Sequence, residues 1–543
     1  MSDYVGPGWE KFTLLTKPEQ SGKTFLMLQQ IVKDFSDEPR NDGKININFI
    51  ICDNNLLLVL QTGDRVENEL NIFKDQDTDE MYVEFSSKSD RATRADSIFR
   101  LLTGPENIRN IICCSNGIRI PQIYDIITDI NDSHAIQDMF HFNIWYDEAD
   151  KSLSLISDNF FPLCNDYENI SVYLITATAE KIIRKFKEIK IWAIENPTSK
   201  QYHGWLDNDI REMDTTRFHN NEDLINNVLT NYPSYIVPRT KWFIPASFRK
   251  VSHNNVKDIC SRFGFATMII NGEGIAIYLP NGEVVKEEKD DMTETLIPEL
   301  YNKHKLYQYP FAITGNMCIS RGISISSSNF MLTHSIMPVE CKNKSEASQI
   351  AGRMKGNQKG WENYKKPTVW CTEQFHNIAT KSEEKTISVG KMAFEENWET
   401  ITLDKFKTVE KYYYDYEHTD DFDSYKEALI YLKTQERHLK KKGDSRTIIN
   451  VQKMDNRRTI HPDAEKRYYM TTKLVKEKDI KSNPTISDER ITRYKLSQMA
   501  LGTNLSEPNK STASYVIYPV YEDIESPPES VRYVVRHTKR RDL

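Results

Sequence analysis

Several things are missing from this chain, and each absence removes a class. None of the eight cysteines forms a Cys-x-x-Cys pair, and none follows Cys371, so no zinc module is expected in the last third. The adjacent pair Cys113-Cys114 lies in an apolar run and reads as buried core rather than as a ligand set. The twelve histidines are scattered singly, and none reads as a metal ligand. No run approaches the roughly 18 apolar residues that a membrane span needs. The start, Met1-Ser2-Asp3-Tyr4, has neither the charged nor the apolar part of a secretory leader. The expectation is an intracellular, reduced protein that is not secreted. A formal net charge of −7 excludes a polycationic nucleic-acid coat, so any nucleic-acid contact has to come from local basic surface.

What is present is a globular composition. The 543 residues, 38% hydrophobic and 28% charged, suffice for several domains with ample core. One stretch organises the rest: Thr16-Lys17-Pro18-Glu19-Gln20-Ser21-Gly22-Lys23-Thr24. An apolar strand is expected before it at residues 12–15. After it, Phe25, Leu28, Val32 and Phe35 fall at helix spacing. Strand, tight loop and helix form the setting in which such a loop cradles phosphate. Gly22 lets the backbone approach the anion, and Glu19, Gln20 and Ser21 line the same turn. Lys23 reaches the β- and γ-phosphates, and the Thr24 hydroxyl holds Mg²⁺. The full pattern opens on glycine, and Lys17 stands there instead.

From this loop to about residue 200, strand-like runs alternate with helical stretches, which implies a parallel sheet with helices on its faces. Strands are expected at 45–52, 111–115, 142–146 and 172–175, with a helical apolar run at 56–60. Two of them end in polar clusters, and ligands of such sheets bind at the C-terminal strand ends. The first cluster is Asp147-Glu148-Ala149-Asp150. An acidic pair directly after an apolar strand suits a Mg²⁺–nucleotide site, with Asp147 on the metal and Glu148 taking the proton of the attacking water. The second is Thr176-Ala177-Thr178.

The order of loop, Asp-Glu-Ala-Asp and Thr-Ala-Thr resembles the first motor domain of superfamily 2 helicases. The resemblance implies two tandem RecA-like P-loop NTPase domains, α/β with parallel sheets, and ATP with Mg²⁺ in the cleft between them. It implies DNA or RNA as partner, and a role for Thr176 and Thr178 in linking nucleotide state to nucleic-acid grip. A second sheet is then expected, with residues 201–205 as connector. Its strands are placed at 242–246, 266–270, 310–313 and 330–333, its helices at 256–263, 294–305 and 345–355, and a hairpin or insertion at 271–291. Ser320-Arg321-Gly322-Ile323 resembles the family's Arg-Gly motif near the cleft, which gives Arg321 and Gly322 a coupling role. Gln349-Ile350-Ala351-Gly352-Arg353 resembles its Gln-x-x-Gly-Arg motif. That likeness puts Gln349 near the phosphates and Arg353 on the transferring phosphoryl group.

The likeness covers roughly residues 8–380 and has departures. The arginine usual three positions after Arg353 is Gly356, with Lys355 beside it, and the usual aspartate after Arg-Gly-Ile is Ser324. No adenine-reading glutamine motif precedes residue 16, so the letters Asp-Glu-Ala-Asp do not make a DEAD-box RNA helicase. The Gly-Arg-x-x-Gly-Asn form at 352–357 looks like helicases of large DNA viruses, which adds a viral replication compartment to the cytoplasm as an expected location. The expected organisation is an ATP-binding domain at 1–200, a second RecA-like domain at 201–380 and a C-terminal α+β accessory region at 381–543. In that last region a helix is expected at 424–442, an exposed linker at 443–455, and strands at 513–521 and 531–536 before a basic tail. A packing or protein-partner role with a solvated basic face fits it better than nucleic-acid contact. The competing function is an interaction or structural protein that keeps the motor fold with weak catalysis, motivated by Lys17 and Gly356.

Overall fold

The computed structural model describes residues 9–37, 39–54, 56–71, 81–85, 95–103, 108–133, 136, 138–214, 217–247, 249–271, 274–287, 296–315, 325–339, 341, 344–412, 414–419, 421–441, 447–449, 460–462, 468–470, 512–521 and 532–540. These fall into two compact units, Met1–Val409 and Glu410–Leu543.

Within the first unit the chain lays down β1 (Phe12–Thr16), β2 (Ile45–Cys52), β3 (Val83–Phe85), β4 (Asn110–Cys114), β5 (Phe140–Asp147), β6 (Ile170–Thr176) and β7 (Glu188–Ile191). A short strand β8 (Tyr202–His203) leads to a second series: β9 (Asp209–Met213), β10 (Lys241–Phe243), β11 (Ala266–Asn271), β12 (Gly274–Tyr278), β13 (Val284–Glu287), β14 (Phe311–Gly315), β15 (His334–Ile336), β16 (Gly356–Asn357) and β17 (Thr368–Thr372). A last strand, β18 (Thr400–Thr402), returns to the first sheet. The first sheet has the order β18-β7-β1-β6-β5-β2-β4-β3 and the second β13-β12-β11-β14-β10-β15-β17-β9. Pairing is parallel in both, apart from β18 against β7 and the meander β11-β12-β13. These are the paired RecA-like α/β sheets that the sequence led us to expect.

Register places the functional loops. Thr16 of β1 lies opposite Thr176 of β6, and Asp147 of β5 opposite Ile175. The loop after β1, the acidic turn after β5 and the Thr-Ala-Thr stretch after β6 therefore leave the sheet at one edge. A buried polar ladder pins that register. Trp145 Nε1 donates to Asn48 Oδ1 at 3.0 Å, Asn48 Nδ2 to Asn110 Oδ1 at 3.0 Å, and Asn143 Nδ2 to Asn46 Oδ1 at 3.1 Å. A one-residue slip would leave these groups unpaired in an apolar layer. The second sheet is centred on stacked rings, Trp242 on Trp370 at 5.3 Å and on His334 at 4.6 Å. Burial there pulls the His334 imidazole down to about 4, which keeps it neutral in the core.

Three expectations are corrected. Helix α1 (Lys23–Ser36) buries Met27, Leu28 and Ile31, whereas Phe25 is 55% exposed, because the first turn faces the cleft rather than the sheet. The strand expected at 330–333 lies at β15 instead. Ser327 and Phe330 close a turn through two backbone hydrogen bonds, so Phe330 and Leu332 are buried without joining the ladder. The helix expected at 345–355 is α-helical over Lys344–Ala351, continues as a 3₁₀ turn at Gly352–Met354 and ends in β16. Gly356 at φ 137° makes that change of direction possible. The segment at 271–291 supplies β12 and β13.

The connector at 201–205 contains β8, which pairs antiparallel with β16. Beyond β17 a helix, Glu373–Glu395, carries the chain back toward β18, and residue 381 falls inside this helix. In the second unit, a helix Tyr425–Lys441 packs Ala428 and Leu432 with Tyr533 and Val535. The last two belong to the strand Arg532–Arg540, which pairs antiparallel with the strand Thr512–Tyr521. The stretch read as a linker contains a described strand, Thr447–Ile449. Among the described residues no helix is long and apolar enough to cross a membrane.

Candidate functional site

The loop 16–24 passes from β1 into α1 through Gln20 at φ 57° and Gly22 at φ 92°. Glycine adopts that left-handed conformation without strain, and Gly22 there is the N-cap of the helix, with no side-chain hydrogen bond capping its first N–H groups. Ser21 Oγ donates to the Pro18 carbonyl at 2.7 Å and closes the turn. Lys23 Nζ meets the same carbonyl at 3.3 Å, and Lys17 lies buried nearby. Burial, reinforced by Lys23, pulls the Lys17 ammonium down to about 8.

A cavity of about 410 Å³ opens over this loop. Its walls bring together Glu19, Gln20, Gly22, Lys23 and Thr24 from the loop with Asp147 and Glu148 from the end of β5. From the second sheet's side come Gln349, Gly352 and Arg353. Phe25 and Leu28 of α1 and Leu58 of the helix Leu56–Leu70 extend the lining. Residues more than three hundred positions apart in sequence thus share one space.

Glu148 sits at φ 51°, where its backbone N–H takes the Asp147 carboxylate at 3.0 Å. Its own Oε2 accepts from Gln349 Nε2 at 2.7 Å, and Lys151 Nζ stands 3.8 Å away while binding Asp53 at 2.6 Å. Burial pushes the Glu148 carboxyl up to about 7, with Lys151 opposing and Asp147 adding to the rise. Burial also raises Asp147, against the pull of Lys23. Arg353 is 5% exposed, and burial lowers its guanidinium to about 10 while Glu148 pushes it back up. It is therefore a cation at neutral pH. A carboxylate poised near 7 is suited to accept a proton, and a desolvated guanidinium to offset developing negative charge.

Thr176 Oγ1 donates to Asp150 Oδ1 at 2.7 Å, and the Thr178 N–H donates to Thr176 Oγ1 at 2.9 Å. Thr178 Oγ1 lies 3.3 Å from Ser345 Oγ, and Thr386 Oγ1 donates to the Ala177 carbonyl at 2.9 Å. The Thr-Ala-Thr stretch thus touches the acidic turn on one side and the second sheet's helices on the other. Arg321 and Gly322 lie outside the described residues.

Glu19 differs from the expectation for a loop residue facing phosphate. Its carboxylate is turned across the cleft, with Oε2 2.8 Å from Lys355 Nζ and Oε1 accepting from Ser348 Oγ. Burial alone would raise this carboxyl, but Lys355, with Lys23 behind it, holds it below the usual range. Lys355, Ser348 and Glu383 carry no motif signal. The one sequence cue is a lysine beside Gly356, the position at which the resembled helicase motif carries a second arginine.

Hydroxyl and carboxylate are hard oxygen donors of the kind Mg²⁺ takes, and Thr24 and Asp147 supply one of each in the same cavity. Among the described residues no group of three or more His, Cys, Asp or Glu is placed to hold a metal by itself.

No family model matches this chain, and no curated protein does. Among solved structures it is similar to the Escherichia coli DEAH/RHA helicase HrpB, with 9% identity over 68% of this chain and a TM-score of 0.38. The match takes in 41% of the HrpB chain, so this protein spans well under two thirds of that relative. It is also similar to the DEAD-box helicase Mss116 bound to ssRNA and UDP-BeF, with 11% identity, 80% of this chain, 79% of that one and a TM-score of 0.37.

Proposed function

We infer that this protein is an ATP-dependent helicase or translocase of the superfamily 2 type, hydrolysing ATP between two RecA-like domains and acting on DNA or RNA. The observation that carries the reading is the 2.7 Å contact of Gln349 with Glu148 inside a cavity that also holds Lys23, Thr24, Asp147 and Arg353. Acid, loop and arginine come from both sheets, so a nucleotide bound there is completed only when the sheets stand together.

In this reading Gly22, Lys23 and the adjacent N–H groups hold the phosphates. Thr24 and Asp147 hold Mg²⁺, which would neutralise phosphate charge when bound. Glu148, oriented by Gln349, takes the proton of the attacking water, and Arg353 offsets charge on the transferring group. Thr176, Thr178, Arg321 and Gly322 couple that state to the nucleic-acid track. Domain limits of 1–200 and 201–380 go with this reading, but the helix Glu373–Glu395 and β18 stay with the two sheets, so the accessory region that offers a protein-partner surface begins at Glu410 rather than at 381. Grip on the sugar-phosphate backbone is mainly electrostatic and weakens with salt.

The test is phosphate release from ATP with and without single- and double-stranded DNA and RNA, wild type beside Lys23→Ala. Stimulation by one polymer, lost in the variant, supports the motor and names its track. Tight ATP binding without hydrolysis on any polymer would favour an interaction protein that keeps the fold.

A further inference from the structure

The segment that carries Gln349 and Arg353 is fastened to the loop by groups outside the motifs. Lys355 Nζ is fully enclosed, 2.8 Å from Glu19 Oε2 and 3.6 Å from Glu383 Oε1. Ser348 Oγ donates to the other Glu19 oxygen and receives Ser382 Oγ at 2.9 Å. Glu383 is itself held, by the Trp205 N–H at 2.7 Å and the Tyr202 hydroxyl at 2.7 Å. Between the two contact points Gly352 lies flat on the loop: a Cβ there would stand 2.8 Å from Glu19 Cβ.

One carboxylate of the loop therefore grips the segment just before Gln349 and just after Arg353. A buried ion pair is a poor source of stability compared with apolar packing of the same volume, but its directionality fixes geometry. Building on the functional reading above, we propose that Glu19 and Lys355 are positioning residues that hold Gln349 and Arg353 against the phosphate end of the cavity. In this site Lys355 serves by anchoring the arginine rather than by meeting phosphate, as the missing second arginine of the motif would.

The experiment compares the affinity of the full-length chain for Mg·ADP alone and for Mg·ADP with aluminium fluoride, a mimic of the transferring phosphoryl group. Melting temperature is read beside it. Wild type is expected to bind the mimic roughly a hundredfold more tightly than ADP. Glu19→Gln with Lys355→Met removes one charge of each sign and leaves the cluster's net charge unchanged. That double variant is expected to lose about tenfold of the gain, with ADP affinity kept within about threefold. Adding Arg353→Ala should then cost little more, because the arginine is already misplaced. Ser348→Ala, which keeps every charge, is expected to lose part of the same gain and serves if the double variant melts early.

Full retention of the gain in the double variant and in Ser348→Ala overturns the proposal. So does a further loss on adding Arg353→Ala as large as that substitution causes alone. A wild type that binds no ADP overturns the functional reading and the proposal together, which separates the two failures.

Discussion

The ammonium of Lys355 lies 2.8 Å from the carboxylate of Glu19, across 336 residues of sequence, and neither group is open to solvent. Burial would lower the Lys355 pKa, but the neighbouring Glu19 and Glu383 raise it, so Lys355 is held as a cation. Lys355→Met leaves the buried carboxylates of Glu19 and Glu383 without the cation they share. We expect a loss of about 3–5 kcal/mol in urea unfolding followed by tryptophan fluorescence, most of it recovered by adding Glu19→Gln. Equal stability of wild type and Lys355→Met would remove the pair from the account.

Glu148 gives the chain a pH signature. Its carboxyl titrates near 7 in the folded site through burial, against 4.5 for an ordinary glutamate. As a general base it must be ionised, so kcat/KM should fall about tenfold per pH unit below about 7. For stability the sign is opposite. The folded state keeps the proton longer than the unfolded chain, so this contribution is full below about 4.5 and is lost as pH rises through about 7. Glu148→Gln should therefore melt close to wild type at pH 5 and above it at pH 8. A gap that narrows with rising pH would contradict the burial argument.

Kinetics separate the roles of the other cavity residues. Lys23→Ala should abolish hydrolysis, and Glu148→Gln should keep nucleotide binding while stopping turnover. Arg353→Ala should lower turnover more than ATP affinity, since its charge acts on the transferring phosphoryl group. The reverse pattern for Arg353, affinity lost and turnover kept, would place it on the ground-state nucleotide.

Asn48 tests the ladder that sets the position of Asp147. It is buried and serves Trp145 and Asn110 at 3.0 Å each. Asn48→Ala strips a buried N–H of its acceptor and a buried carbonyl of its donor, which should cost about 3 kcal/mol in chemical denaturation. A change under about 1 kcal/mol would mean that the ladder is replaceable.

Much of this protein was determined by local sequence. The strand ahead of the loop, the helix after it and the apolar runs that became β2, β4, β5 and β6 follow from side-chain periodicity, which is a property of neighbours along the chain. So do Gly22 at the helix start and the acidic pair at a strand end, because backbone conformation and strand termination are local. The tertiary structure decided what depends on residues remote in sequence. Phe25 has the spacing of a core residue yet faces the cleft, because which helical face is buried depends on the sheet beneath it. Glu19 reads as one more loop residue, and Lys355 as a lysine near a missing arginine. Their pairing exists only because parallel register brings three strand ends to one edge and the second sheet lays its glycine-rich turn against them. Charge pairs of this kind carry no periodicity, so only their closeness in space reveals them.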